Sequence, residues 1–423
     1  MGAFEKPKFF TTTKEFIVVV SLLTVLLLVR LLFEYQSYQS FISKPFYYTY
    51  AKVMTSYEKS KGGKRYQVLK LRGEKGSVFY TTSHKKNDFS HKRLRLQLFP
   101  NESISFQSYL GTFYVKSRIK KVQNIPRTFK DTLLSKVALQ HQNNPLQSFY
   151  KAIFFATPIE KALREKISML GVSHLVALSG FHLGILWGVV YGLLLLLYRP
   201  LQQKFFPYRH ALFDVGVVVM LFLGSYLWFV DFPPSLVRSY AMVLMGWVVL
   251  LLGMELLSFT FLTTILLTLV VLFPSLLVSL SFWLSVAGVF YIFLLLHYVK
   301  AFNKWVVTLF FIPFGIFILM LPVVHTIFGI TTPYQLLSPL LSLLFIPFYP
   351  LVMLLHLLGG GDLFDTGLQW LFSLPQESDE NLLPLWSMVG YIAVSIGAIW
   401  SKKLFYMVFI VATLYMLYLF ISI

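Results

Sequence analysis

The chain has 423 residues, of which 57% are hydrophobic, 17% aromatic and only 13% charged, and it has no cysteine. A soluble globular chain is typically about 45–50% apolar and about 25% charged, so this composition excludes an ordinary soluble enzyme, and it excludes disorder, which needs the opposite bias. Lysine and arginine outnumber aspartate and glutamate 37 to 18, a net charge of +19 that calls for a polyanionic partner or large basic loops. Without cysteine, disulfides, thiolate metal sites and thiol nucleophiles are excluded together.

At the N-terminus Lys6, Lys8 and Lys14 precede an apolar run from Phe16 to Phe33. That run exceeds the 7–15 residues or so of a signal-peptide core, so residues 1–33 read as a first transmembrane helix with a cytoplasmic N-terminus. The segment from Glu34 to Tyr150 holds 21 of the 37 cations and 6 of the 18 acids. It contains no apolar run near the 20 residues or so that a bilayer requires, and reads as a water-soluble insert. Its periodicity is two: Leu94, Leu96 and Leu98 alternate with Arg95 and Gln97, and Phe113, Val115, Ser117 and Ile119 alternate with Tyr114, Lys116, Arg118 and Lys120. Tyr66–Leu71 and Val78–Tyr80 are further strands, joined through a Gly73-Glu74-Lys75-Gly76 turn. Five or so short strands in about seventy residues predict a small soluble β-barrel or sandwich over 34–130. Asp131–Gln140 and Ile159–Leu170 read as amphipathic helices, making 131–170 a connecting region.

From Gly171 to the end the sequence is nearly continuous membrane signal. Predicted spans are Gly171–Tyr198, Ala211–Val230, Ser235–Leu257, Phe259–Phe273, Pro274–Leu296, Trp305–Val324, Leu336–Leu358, Pro384–Trp400 and Leu404–Ile421. The fourth is short enough to be re-entrant, and Leu363–Leu374 reads as an interfacial amphipathic segment. The fold class expected is therefore a polytopic α-helical membrane protein of about 8–10 spans, 171–423 being the multi-span domain, with the β insert after its first helix.

Four features carry functional expectations. Gly180, Gly184, Gly188 and Gly192 recur every fourth residue, which suits close helix packing or a thin helix lining a passage. His174, Ser179 and His182 share one flank of that helix and are expected on the bundle interior, because polar groups in lipid must be satisfied or face water. Asp231-Phe232-Pro233-Pro234 breaks the chain before Arg238, which either pairs with Asp231 or guides a phosphate. Ser281 and Ser285 place hydroxyls in a later span. These residues (His174, Ser179, Gly180, His182, Gly184, Arg238, Ser281 and Ser285) are the pore-lining candidates. On the insert, Tyr114, Lys116, Arg118 and Lys120, with Lys64, Arg65, Lys70, Arg72, Lys92, Arg93 and Arg95, combine cations with aromatics in the way that binds single-stranded nucleic acid. Anionic lipid is the rival partner.

Taken together these motifs resemble a known family. Ser173-His174-Leu175-Val176-Ala177-Leu178-Ser179-Gly180-Phe181-His182-Leu183-Gly184 resembles the HLLAxSGLHxG signature of the ComEC family, the inner-membrane DNA channel of bacterial natural transformation. Pro233 to Met242 resembles that family's SPxxxRAxxM stretch, with Ser239 where alanine is usual, and Phe273–Ser285 and Ser338–Pro347 resemble two later blocks in the family's order. The resemblance implies transport of single-stranded DNA into the cytoplasm and an OB-fold insert on the periplasmic side. It also implies partners: a periplasmic DNA-binding receptor and cytoplasmic DNA-pulling or DNA-binding proteins. No HxHxDH cluster and no phosphate-cradling loop occurs in these residues, so no cofactor, metal or catalytic residue is expected, and strand degradation falls to a partner. A secondary transporter of a small anion and a membrane enzyme using Ser179, His174 and His182 are the alternatives.

Overall fold

The computed structural model describes residues 9–61, 64–74, 76–84, 89, 92–126, 128–254, 258–299, 302–374 and 377–421. Lys6, Lys8, Lys75, Lys300 and the side chain of Lys64 lie outside them. Packing divides the chain into two units, one of residues 10–128 with 263–282, the other of residues 1–9, 129–262 and 283–423.

The first unit opens with α1, Thr13–Ile42. Thr12 caps it by accepting from the Glu15 N–H, and Glu15 reaches back to the Thr11 N–H and hydroxyl. At about 1.5 Å per residue its 30 residues outspan a hydrocarbon core of about 30 Å. None of its side chains is buried, as expected of a helix whose solvent is lipid. Phe41 and Ile42 at its end pack on the core of a six-stranded sheet, and the Tyr38 hydroxyl donates to the Ile104 carbonyl.

The strands are β1 Tyr47–Lys61, β2 Lys64–Gly73, β3 Val78–Ser83, β4 Lys92–Phe99, β5 Thr112–Tyr114 and β6 Lys116–Asn124, with a short helix α2, Phe106–Leu110, before β5. Their order is β5-β3-β2-β1-β4-β6. All neighbours are antiparallel except β3 and β5, which run parallel. The period-two pattern sends Leu69, Leu71, Phe79, Leu94, Leu96, Leu98, Phe113 and Val115 inward, where they are buried. The Gly73–Gly76 turn forms, with Gly76 at φ +82°, a left-handed conformation that favours glycine. β1 is missing from the sequence-based reading although it is the longest strand. Its buried markers are Ala51 and Val53 alone, too little apolar signal to stand out among tyrosines and lysines.

The second unit is helical: α3 Phe129–Leu139, α4 Asn144–Phe155, α5 Lys161–Met169, α6 Ser173–Val176, α7 Gly180–Phe205, α8 Ala211–Phe229 and α9 Pro234–Leu251. α10, Phe259–Leu272, is divided between the units, as is α11, Leu280–Tyr298, which follows a 3-10 turn at Pro274–Val278. α12, Lys304–Val306, runs through a π-helical turn into α13, Ile312–His325. A 3-10 turn at Pro333–Leu337 leads into α14, Ser338–Leu358. Gly361–Phe364 is a further 3-10 turn before α15, Asp365–Ser373, and the chain ends with α16, Leu385–Gly397, and α17, Lys402–Ile421. Two dipeptide strands, β7 Ile330–Thr331 and β8 Asp379–Glu380, pair antiparallel.

Among the described residues, eight helices are long and apolar enough to cross a membrane, and Phe259–Leu272 and Leu385–Gly397 are shorter apolar helices. This is the architecture of a multi-pass membrane protein. α4 is absent from the sequence-based reading. It buries Leu146, Phe149, Tyr150, Ile153, Phe154 and Phe155, and so is a core element of this unit.

Candidate functional site

The span predicted to begin at Gly171 is broken. α5 ends at Met169, Gly171 takes φ +67°, α6 makes a single turn, and α7 starts only at Gly180. Each break frees backbone carbonyls, which inside a membrane domain must find donors. Hydroxyls on α9, on α14 and just before the 3-10 turn that leads into α14 supply them. Thr332 Oγ1 donates to the Met169 carbonyl at 2.6 Å, Ser338 Oγ to that of Gly171 at 3.1 Å and Ser235 Oγ to that of Leu178 at 2.7 Å. The starts of α9 and α14 are thereby stitched to the break.

Ser179 is the N-cap of α7, its hydroxyl accepting from the Phe181 N–H. His182 Nδ1 accepts from the Ser179 N–H at 3.3 Å, which fixes its proton on Nε2. Nε2 is buried without a hydrogen-bond partner, and the rings of Phe345 and Tyr349 stand roughly perpendicular to the imidazole at 5.1 and 4.9 Å. His182 is therefore fully enclosed by the core and acts as a helix-capping group. His174 differs: it is exposed, and its Nε2 lies 3.2 Å from Ser342 Oγ.

Gly180 is packed, since a Cβ there would lie 3.0 Å from Ser239 Oγ. At Gly184, Gly188 and Gly192 a Cβ would meet nothing within 4 Å. Beyond Gly180 the glycine stripe is thus not a helix contact among the described residues. Phe181, Gly184 and Gly188 form an exposed strip of α7, and His174 and Ala177 before it are exposed too, whereas Gly192 is half-buried. Arg238, one turn into α9, is 8% exposed. The Asp231 carboxylate pairs with Lys130 Nζ at 2.9 Å, a partner the sequence did not indicate, across a turn in which Asp231 and Phe232 both take positive φ. Ser279 Oγ and Ser281 Oγ are 3.2 Å apart, and Ser285 is exposed on α11. Among the described residues no hydrogen bond joins Ser285 to the break.

The outward face of the sheet gathers the insert's cations and aromatics. Pairing sets Tyr114 beside Tyr80, and Tyr80 beside Lys70. It sets Arg72 and Arg93 on either side of Lys52, and Arg95 beside Tyr50. Arg93 lies over the Tyr50 ring at 5.0 Å, Arg95 over Tyr48 and Tyr50 at 5.7 and 5.8 Å, and Lys70 over Tyr80 at 5.7 Å. Arg93 also reaches Glu74 Oε1 at 2.6 Å. On β6, Lys116 and Arg118 sit opposite Phe99 and Gln97. A bulge follows, so that Lys121 stands opposite Arg95 and Lys120 is the extra residue. Of the cations first singled out, Arg93, Arg95, Lys116 and Arg118 share this face with Tyr114; Lys120 is displaced and Lys121 takes its place. Tyr48, Tyr50, Lys52 and Lys121 join the face through a strand and a bulge that the sequence pattern did not disclose.

Fold and sites together define a multi-pass membrane protein whose broken, hydroxyl-sealed helix belongs to one unit and whose cationic, aromatic sheet face belongs to the other. A family model described as Competence protein matches residues 156–423, more than half of the chain, and the chain belongs to that family. The matched region includes the break, α7 and Arg238, and leaves the six-stranded sheet outside it. Searches of curated proteins and of solved structures returned no match.

Proposed function

We propose that the protein carries one strand of DNA across the cytoplasmic membrane during competence. The observation that carries this reading is the sheet face, on which tyrosines alternate with guanidinium and ammonium groups across the strands. Base stacking on aromatics and phosphate pairing with cations are the two sequence-independent ways of holding a single strand. Membership of the Competence family supports a role in DNA uptake. The parallel β3–β5 pair, the Val115 N–H donating to the Tyr80 carbonyl and the single residue between β5 and β6 support reading the sheet as a small OB-like Greek-key barrel.

In this reading the N-terminus is cytoplasmic and the sheet domain periplasmic, where it receives DNA from a periplasmic receptor. The membrane unit provides the path. The strip of His174, Ala177, Phe181, Gly184 and Gly188 offers surface that does not repel phosphodiesters. The protein performs no bond chemistry; partners degrade the second strand and pull the first, and anionic lipids meet the remaining basic surface. The test is a deletion strain supplied with labelled DNA. Label should accumulate outside the cytoplasmic membrane and transformants should vanish, both reversed by the wild-type gene. Unchanged transformation would sink the proposal.

A further inference from the structure

Away from the break, three side chains distant in sequence form a buried chain of contacts in the helical unit. His141, between α3 and α4, presents Nδ1 to both oxygens of Asp365 at 3.0 and 2.9 Å. Its Nε2 lies 2.9 Å from Nε2 of His356, near the end of α14. Nδ1 of His356 faces the Val352 carbonyl at 2.6 Å. His141 and His356 are 4% and 9% exposed.

Protons can be assigned by elimination. A carbonyl only accepts, so His356 Nδ1 carries a hydrogen, and if that ring is neutral its Nε2 is a bare lone pair. An ionised Asp365 only accepts, so His141 Nδ1 carries a hydrogen too, and in a neutral ring its Nε2 is also a lone pair. Two lone pairs at 2.9 Å repel, whereas an N–H···N hydrogen bond has this length. One further proton must therefore sit in the chain. Placing it on His141 gives an imidazolium between Asp365 and His356. Moving a proton on to Asp365 gives a neutral acid and a neutral His141 that still donates to His356. Both arrangements have the same proton count and zero net charge, which is what burial demands. A zinc ion would hold two imidazole nitrogens about 3.3 Å apart, given Zn–N bonds of about 2.0–2.1 Å and tetrahedral angles. Among the described residues no third His, Cys, Asp or Glu completes a metal cluster.

We propose that Asp365, His141 and His356 form a proton-binding site that clamps the α3–α4 connection to the end of α14 and the start of α15. The clamp is held only while its proton is bound. The same joint carries neutral bonds: Gln140 Nε2 donates to the His356 carbonyl at 3.0 Å, and the Gly361 N–H donates to Gln140 Oε1 at 2.8 Å. The other titratable groups acting on it are Asp362 in the 3-10 turn and Tyr150 on α4, whose ring stacks on His141 at 4.3 Å. Burial, with Asp365 and Asp362 nearby, raises the Tyr150 phenol, so it stays neutral. Asp362 adds negative charge and favours retention of the proton. Loss of the proton leaves a net −1 and two opposed lone pairs, so the joint loosens as pH rises. This reading is independent of DNA transport.

The experiment uses the full-length protein, labelled with 15N-histidine, in lipid nanodiscs. At neutral pH a 15N–15N coupling across an N–H···N bond is expected in the wild type. Raising the pH further should abolish it and lower the melting temperature. His356→Gln should remove the coupling, whereas Asp365→Asn, whose amide can donate to His141 Nδ1 as the neutral acid does, should keep it at every pH; both should flatten that fall in melting temperature. Absence of the coupling at every pH, or stoichiometric zinc whose chelation shifts these resonances, would overturn the proposal.

Discussion

Replacing Arg95 and Arg118 together by alanine should weaken binding of a single-stranded oligonucleotide and flatten its dependence on salt. Both side chains point outward from the sheet, opposite Tyr50 and Gln97, so the fold should tolerate the change. Each phosphate neutralised on a single strand contributes about 0.7 to the slope of log K against log salt. If the face of Lys52, Lys70, Arg72, Arg93, Arg95 and Arg118 engages about five phosphates, the slope is about −3.5, and a fourfold rise in salt weakens binding about 100-fold. The double variant should show a slope of about −2.1 and weaken only about 20-fold over the same range. Tyr114→Ala works through stacking: it should lose about 1–3 kcal/mol, with the slope unchanged. Fluorescence anisotropy with the full-length protein in nanodiscs measures both quantities. A wild-type slope near zero, or a double variant with the wild-type slope, would refute the electrostatic reasoning, and tighter binding to anionic liposomes than to DNA would transfer the face to lipid.

Four further outcomes test the membrane unit. Ser235→Ala removes the donor to the Leu178 carbonyl and should cost about 1–3 kcal/mol of stability, while Ser235→Thr keeps the hydroxyl and most of the stability, as read by thermal unfolding in detergent. Gly216→Ala should destabilise by about 1–3 kcal/mol, because its Cβ would collide with the indole of Trp247, whose Nε1 donates to the Leu212 carbonyl. Gly184→Ala has open space and should leave the melting temperature unchanged; a bulky Gly184→Leu should then impair transformation if the strip lines the path. His182→Asn retains an acceptor for the Ser179 N–H and should keep function, whereas His182→Leu leaves that N–H unmet and should lower stability by about 1 kcal/mol.

The sequence by itself determined the membrane class, the basic insert and the family. Spans follow from apolar runs, strands β2, β3, β4 and β6 from alternation, and the family from short motifs around Gly180 and Arg238, all of them properties of neighbours along the chain. Ser179 and His182, three residues apart, could be placed on one helix, yet their role as a cap needed the break to be seen. Tertiary structure alone decided the rest. The bulge that exchanges Lys120 for Lys121 depends on the register of β6 against β4. The hydroxyls of Thr332 and Ser338 reach carbonyls 163 and 167 residues away, and His141 meets His356 and Asp365 across 215 and 224 residues. No local pattern encodes such encounters. Periodicity tells which side of an element faces the interior, and only packing tells which polar group waits there to be paired.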